Sequence, residues 1–334
     1  MPHQHSIAAF VVSNEPYCAK AIMALLAVRQ HNPDFDLFIA GDIKTGSNLN
    51  LLDRFQIKLI SLSYAHVFVQ PKCTWPSEVW WLPLIPSHLY QMGYDVSLGL
   101  DGDIYTVKPF KLDVVNLLIK YPYHIAGIKN RPICRYITLD EWPPEFSEHV
   151  CKIYNLDKRI VNEIQCTNSG LLWFNNELLY EDKFDDKWIK AYKDIINTWE
   201  KYSNSKIFNG DQEGFALLIP SIRFLYISPF YNFRFHDDLA KRVVQNDCGL
   251  LEKELMAIHF VHSKPWYHYS AEDEKRYQDD IGDGKLRLKY IRKWQSDARK
   301  IFGDQCEKLR ILELDKTHWS VVWQRSLERT EMGP

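Results

Sequence analysis

Two carboxylates one residue apart, Asp101 and Asp103, close an apolar run carrying Val96, Leu98 and Leu100, with Gly102 between them and the β-formers Ile104 and Tyr105 after. In extended chain, residues i and i+2 share a face. One hard cation can then be gripped by both acids while its other positions are left to substrate oxygens, an arrangement suited to chemistry on a diphosphate. The competing reading of the triplet is an Asp-Gly turn with two solvated acids. Four further polar clusters stand at the edges of apolar runs: Ser13-Asn14-Glu15-Pro16-Tyr17, Asn168-Ser169-Gly170, Gly210-Asp211-Gln212, and the stretch from His259 through His262 and Lys264 to Trp266.

The elements that must position these clusters alternate. Residues 6–13 form a nearly continuous apolar run, the mark of a strand buried on both faces. Asn14 to Tyr17 has turn and N-cap chemistry, and residues 17–31 carry apolar side chains at helical spacing up to Asn32-Pro33. Strands are predicted at 35–40, 57–62, 123–128, 166–174, 222–227 and 257–261, with helices at 49–55, 182–201 and 207–218. A kinked or irregular helix holding Pro83 and Pro86 is predicted at 79–92. Such alternation predicts an α/β fold with a parallel sheet covered on both sides. Ligands of such sheets sit at the carboxyl ends of the strands, so the 14–17 and 101–103 segments are placed to face one crevice. Residues 131–156, rich in Pro, Trp and charge, read as an excursion over that face.

At 334 residues the chain is long enough for a sizeable core, and 46% hydrophobic with 25% charged residues is an ordinary globular balance. A net charge of -2 gives no global pull toward nucleic acid. Seven scattered cysteines with no CxxC pair argue against a disulfide framework or a cysteine-rich zinc site and point to a reducing compartment. The N-terminal residues lack a basic n-region, and no apolar run approaches the ~20 residues of a membrane span, so a cytoplasmic location is expected. Beyond residue 270 the composition turns to charged helix. Leu286, Tyr290, Ile291 and Trp294 share one side of a stretch rich in Lys and Arg. That helix is read as a surface helix with a solvated face, with peripheral contact to an anionic membrane as the alternative.

In this order the motifs resemble glycosyltransferase family 8, the glycogenin-like and lipopolysaccharide-galactosyltransferase-like enzymes, over residues 6–266. The resemblance implies a GT-A-type nucleotide-diphospho-sugar transferase fold, Rossmann-like and mostly parallel, over residues 1–270, with a helical extension at 271–334. It implies retaining transfer of a hexose or N-acetylhexosamine from a UDP-sugar donor to a hydroxyl of a glycan, lipid-linked glycan or protein, assisted by Mn²⁺ or Mg²⁺. Ser13, Asn14 and Tyr17 then belong to the nucleotide-binding turn, where an aromatic ring stacks on uracil. Asp101, Asp103 and His259 would be metal ligands, a histidine favouring a borderline ion such as Mn²⁺. Asn168, Ser169 and Gly170 would touch the donor sugar, Asp211 and Gln212 would lie by the anomeric carbon, and Lys264 would supply a point charge to the leaving diphosphate.

The chain also departs from the family pattern. The loop between His259 and Lys264 is one residue short, and His262 stands near the place of a phosphate-approaching glycine, which makes it the alternative metal ligand. The helix before the carboxylates holds Trp80, Trp81 and Leu82 where a basic residue is common. Gln165 replaces an acid, and an amide carries no charge. There is no G-x-S-x-G and no phosphate-binding glycine loop. The rival readings are a metal-dependent hydrolase or nucleotidyl-processing enzyme using the same acids, and a catalytically silent sugar-nucleotide-binding scaffold.

Overall fold

The computed structural model describes residues 5–61, 77–129, 144–155, 167–202, 211–235, 252–261, 264–279, 284–309 and 311–312. Its main sheet is built in chain order from β1 (Ile7–Val12), β2 (Asp36–Ala40), β3 (Lys58–Ile60), β4 (Val96–Leu100), β6 (Ile125–Lys129), β7 (Thr167–Asn175) and β8 (Phe224–Tyr226). In space the order is β3-β2-β1-β4-β7-β6-β8. A second sheet joins β5 (Ile104–Thr106), β10 (Ala257–His259) and β9 (Phe233–Arg234) in the order β5-β10-β9. β1 pairs in parallel with β2 and β4, whereas β7 runs antiparallel to both its neighbours.

The unbroken apolar run of β1 follows from a core on each face of the sheet. Ile7, Ala9 and Val11 pack in one core with Ala21, Leu25 and Val28 of α1 (Cys18–His31). Ala8 and Phe10 pack in the other with Trp80, Trp81 and Leu84. The period of two along a strand sends alternate residues to opposite faces, so both sets must be apolar. β7 repeats the pattern, with Leu171 and Trp173 in the first core and Leu172 and Phe174 in the second.

The predicted kinked helix is a 3₁₀ segment (Ser77–Leu84) running into an α-helix (Ile85–Gln91). Pro83 and Pro86 explain the break, since neither has an N–H for an i→i−4 bond. The 131–156 excursion is described only from 144 onward, where it forms a helix (Pro144–Tyr154). The helix Gly284–Phe302 buries Leu286, Tyr290, Ile291, Trp294, Ala298 and Phe302 in the same core as α1. The Tyr105 hydroxyl donates to Asp297 on that helix at 2.5 Å. Its apolar stripe is therefore spent on the protein itself, and membrane contact would rest on its charged side alone. Lys289, Arg292 and Lys293 on that side pair with Glu252, Glu274 and Asp297. Among the described residues no helix is long and apolar enough to cross a membrane, and Cys18, Cys151 and Cys306 are buried and form no disulfide.

Candidate active site

β1 and β4 run in parallel, so the turns that follow them, at 13–17 and 101–103, open on one edge of the sheet. Because β7 is antiparallel, its first residues reach that same edge. The Asp101 amide donates to the Gly170 carbonyl at 2.8 Å. Asn168, Ser169 and Gly170, all buried, thus lie beside the carboxylates.

The two acids do not share a strand face as their i, i+2 spacing predicts. β4 ends at Leu100, β5 begins at Ile104, and the Ile104 amide donates to the Asp101 carbonyl at 3.1 Å, closing a turn. The turn aims both acids at one point nonetheless, because β5 carries the chain away into the second sheet. There His259 of β10 stands opposite Ile104 in register. Its Nε2 lies 3.6 Å from Asp101 Oδ2 and 3.3 Å from Asp103 Oδ1. One ligand atom from each of the three side chains falls within 4.8 Å of the others.

Gly170 makes this pose possible. A Cβ on Gly170 would stand 2.3 Å from His259 Cε1 and 2.5 Å from Nδ1, well inside contact distance, so only glycine lets the imidazole lie against β7. His259 is 6% exposed, and its Nδ1 has no hydrogen-bond partner among the described residues. Asn168 is locked in turn: its Oδ1 accepts from the Gly170 amide at 3.1 Å and from Asn232 Nδ2 at 2.7 Å.

The Lys264 ammonium hydrogen-bonds the Asp103 carboxylate. Burial pushes Asp103 upward, but Lys264 and His259 more than offset it and hold this carboxylate below the usual range. Asp101 goes the other way. Desolvation raises it, His259 opposes, and the neighbouring Asp103 charge adds to the rise. Two acids and one imidazole make an oxygen-rich donor set with a nitrogen ligand, which fits a divalent cation.

At the other end of the crevice the Ser13 amide donates to the Ala40 carbonyl at 2.9 Å. A Cβ on Gly41 would sit 1.9 Å from the Ser13 carbonyl oxygen, so the two strand ends approach too closely for any side chain there. Glu15 ties this turn to the next loop. Its carboxylate accepts from the Lys44 amide, from the Thr45 amide at 2.7 Å, from the Thr45 hydroxyl at 2.8 Å and from Asn48 Nδ2 at 2.5 Å. Slight burial pushes Glu15 upward, but these bonds hold it at about 2. Asn14 Oδ1 is buried with no partner among the described residues, and Tyr17 is half-buried with the Lys20 ammonium over its ring.

Ser13, Asn14, Tyr17, Asp101, Asp103, Asn168, Ser169, Gly170, His259 and Lys264 therefore line one edge. Asp211 and Gln212 open the helix Asp211–Leu218, but their side chains lie outside the described residues, as do His262 and Gln165. Three roles escaped the sequence reading. Asn232, which holds Asn168, left no motif, and Glu15 stood inside the 13–17 cluster with no role of its own. Lys20 did leave a signal, being the one charged residue in the apolar stretch from Tyr17 to Val28.

The sequence matches no protein-family model and no curated protein sequence. Solved structures do match. The chain is similar to WbbM, a bifunctional glycosyltransferase, with a TM-score of 0.56 at 12% identity over 90% of this chain and 52% of that one. It is similar to the galactosyltransferase LgtC, solved with donor and acceptor sugar analogues, with a TM-score of 0.54 at 12% identity over 94% and 99% of the two chains. An active-site mutant of LgtC gives 0.55 at 13% identity over 85% and 94%. The chain thus spans about half the length of WbbM and nearly all of LgtC. At these identities the likeness concerns the fold, which is the GT-A-type α/β fold with a mostly parallel sheet. It agrees with the resemblance to glycosyltransferase family 8 read from the motifs.

Proposed function

We propose that this protein is a glycosyltransferase that moves a hexose or N-acetylhexosamine from a UDP-sugar to a hydroxyl of a carbohydrate or glycan-bearing acceptor, retaining the donor's anomeric configuration. The observation that carries the reading is the convergence of Asp101, Asp103, His259 and Lys264 on the edge that also holds the 13–17 turn. Asp101, Asp103 and His259 would hold a divalent ion, Mn²⁺ before Mg²⁺ given the imidazole. When bound, it supplies Lewis-acid stabilisation of negative charge on the leaving diphosphate.

The chain's own side chains do the rest. The Tyr17 ring offers a face for uracil, and the buried Asn14 Oδ1 is an acceptor for a base or ribose donor. Lys264 brings a fixed positive charge to the oxygen that becomes the leaving group, where charge grows in the transition state. Asn168, immobilised by Asn232 and the Gly170 amide, orients the donor sugar without rotamer loss. Asp211 and Gln212 are assigned to the anomeric carbon, stabilising its positive character and orienting the acceptor. His262 is assigned to the diphosphate beside Lys264. Residues 1–270 form the catalytic domain in this reading, residues 271–334 its helical extension, and the cytoplasm the place of action.

The test is UDP release from a panel of UDP-sugars, with and without Mn²⁺ and with and without candidate acceptors. Acceptor-dependent, sugar-selective release that disappears with chelator is the expected outcome. Release independent of acceptor would transfer the site to the hydrolase reading, and tight UDP-sugar binding without turnover would make it a scaffold.

A further inference from the structure

Lys20 is a lysine buried to 3% exposure on the first turn of α1, where no motif places a charge. Its ammonium lies 4.8 Å from the centroid of the Tyr17 ring and 4.8 Å from the centroid of the Trp266 ring. The second ring also lies under Lys264, whose ammonium is 5.9 Å from it. Two cations thus share one indole. The 101–103 turn packs beside them, since a Cβ on Gly102 would be 3.8 Å from the amide nitrogen of Ala21, the residue after Lys20.

The position of this charge is specific. It stands within 5 Å of both the ring offered to the base and Trp266, the indole that also neighbours Lys264. In a nucleoside diphosphate the group between base and metal is the diphosphate. The charge inventory agrees. Two carboxylates, Asp101 and Asp103, balance one divalent cation, and a diphosphate needs two further positive charges, of which Lys264 supplies one. Aromatic faces attract an ammonium, and at low hydration its field on an incoming anion is strong.

We infer that Lys20 is a second diphosphate-binding cation, acting with Lys264 on the nucleotide's phosphates. The inference rests on the UDP-sugar reading above. It also gives Trp266 a role, that of a shared wall fixing the spacing of the two ammonium groups.

The experiment separates charge from shape by comparing ligands that do and do not carry phosphate. Affinities of uridine and UDP are measured by calorimetry on the full chain, in Mn²⁺ and in chelator, for the native protein, Lys20→Met and Lys20→Arg. In Lys20→Met, UDP weakens at least tenfold in both buffers, uridine stays within twofold, and the salt dependence of UDP binding flattens. Lys20→Arg keeps the native ratio of the two affinities and carries the test if the Met variant does not fold. Parallel weakening of uridine and UDP would reduce Lys20 to a prop for the Tyr17 ring and overturn the inference, as would an unchanged UDP affinity in Lys20→Met or an Arg variant that loses the native ratio. A native protein that binds neither ligand would instead overturn the nucleotide reading itself, and the inference with it.

Discussion

At the 13–17 turn a half-buried carboxylate, Glu15, is met by four neutral donors, whereas at the 101–103 turn a buried one, Asp103, is met by an ammonium and an imidazole with a second acid alongside. Neutral hydrogen bonds hold backbone against backbone whether or not a ligand is present, so Glu15 is scaffold. A pair of like charges with one member buried is different. It costs free energy unless further positive charge joins it, which makes the carboxylate end responsive to a cation and a poor choice for mere support. The contrast separates what keeps the crevice open from what acts inside it.

The sharpest way to break this division is Asp103→Asn. The amide preserves shape but cannot supply the charge, so turnover should fall on the order of a hundredfold or more with little change in fold. UDP release and the far-UV spectrum check it, and turnover near the native level would place the chemistry elsewhere. Next comes Gly170→Ala, which acts on His259 through sterics alone. Displacing the imidazole should weaken divalent-ion affinity by about 10–100-fold, the range seen when a ligand loses its support. A Mn²⁺ titration that superimposes on the native curve would remove His259 from the ligand set. At the opposite end, Gly41→Ala drives a Cβ into the Ser13 carbonyl, backbone that cannot rotate away. Its effect should appear in stability, at about 1–3 kcal/mol of overpacking strain, while the folded fraction keeps its ion affinity. A denaturant melt paired with the same titration tells the two ends apart.

The sheet was legible because strands covered on both faces must be apolar throughout, as residues 7–12 are, and the α1 stripe repeats at helical spacing. The carboxylates were legible as a pair, though not their geometry. Spacing in sequence cannot tell a pleat from a turn, and a bond between the Ile104 amide and the Asp101 carbonyl decided for the turn. Contacts between distant stretches were hidden for the same reason. Asn168 to Asn232 and Gly170 to His259 join residues 64 and 89 apart, and no local pattern announces either. The antiparallel run of β7 was equally silent, since a buried strand reads the same in both directions.

The smallest expected effect tests the scaffold side of the comparison. Glu15 is held at about 2 against an ordinary 4.5, so the folded state favours its ionised form. The stabilisation is fully present above pH 4.5, where the unfolded chain's carboxylate is ionised too, and is lost as pH falls toward 2 and the folded carboxylate takes up its proton. Glu15→Gln should therefore melt a few degrees below the native protein at pH 6, with the gap closing as acid is added. Asp103, also depressed, and Asp101, raised, titrate in both proteins and cancel from the difference. A gap that stays constant across this range would mean that the amide fails for reasons of fit rather than charge. No gap at any pH would mean that Glu15 does not support the turn, and the distinction between a neutral-bonded end and a charge-bonded end would lose one of its two sides.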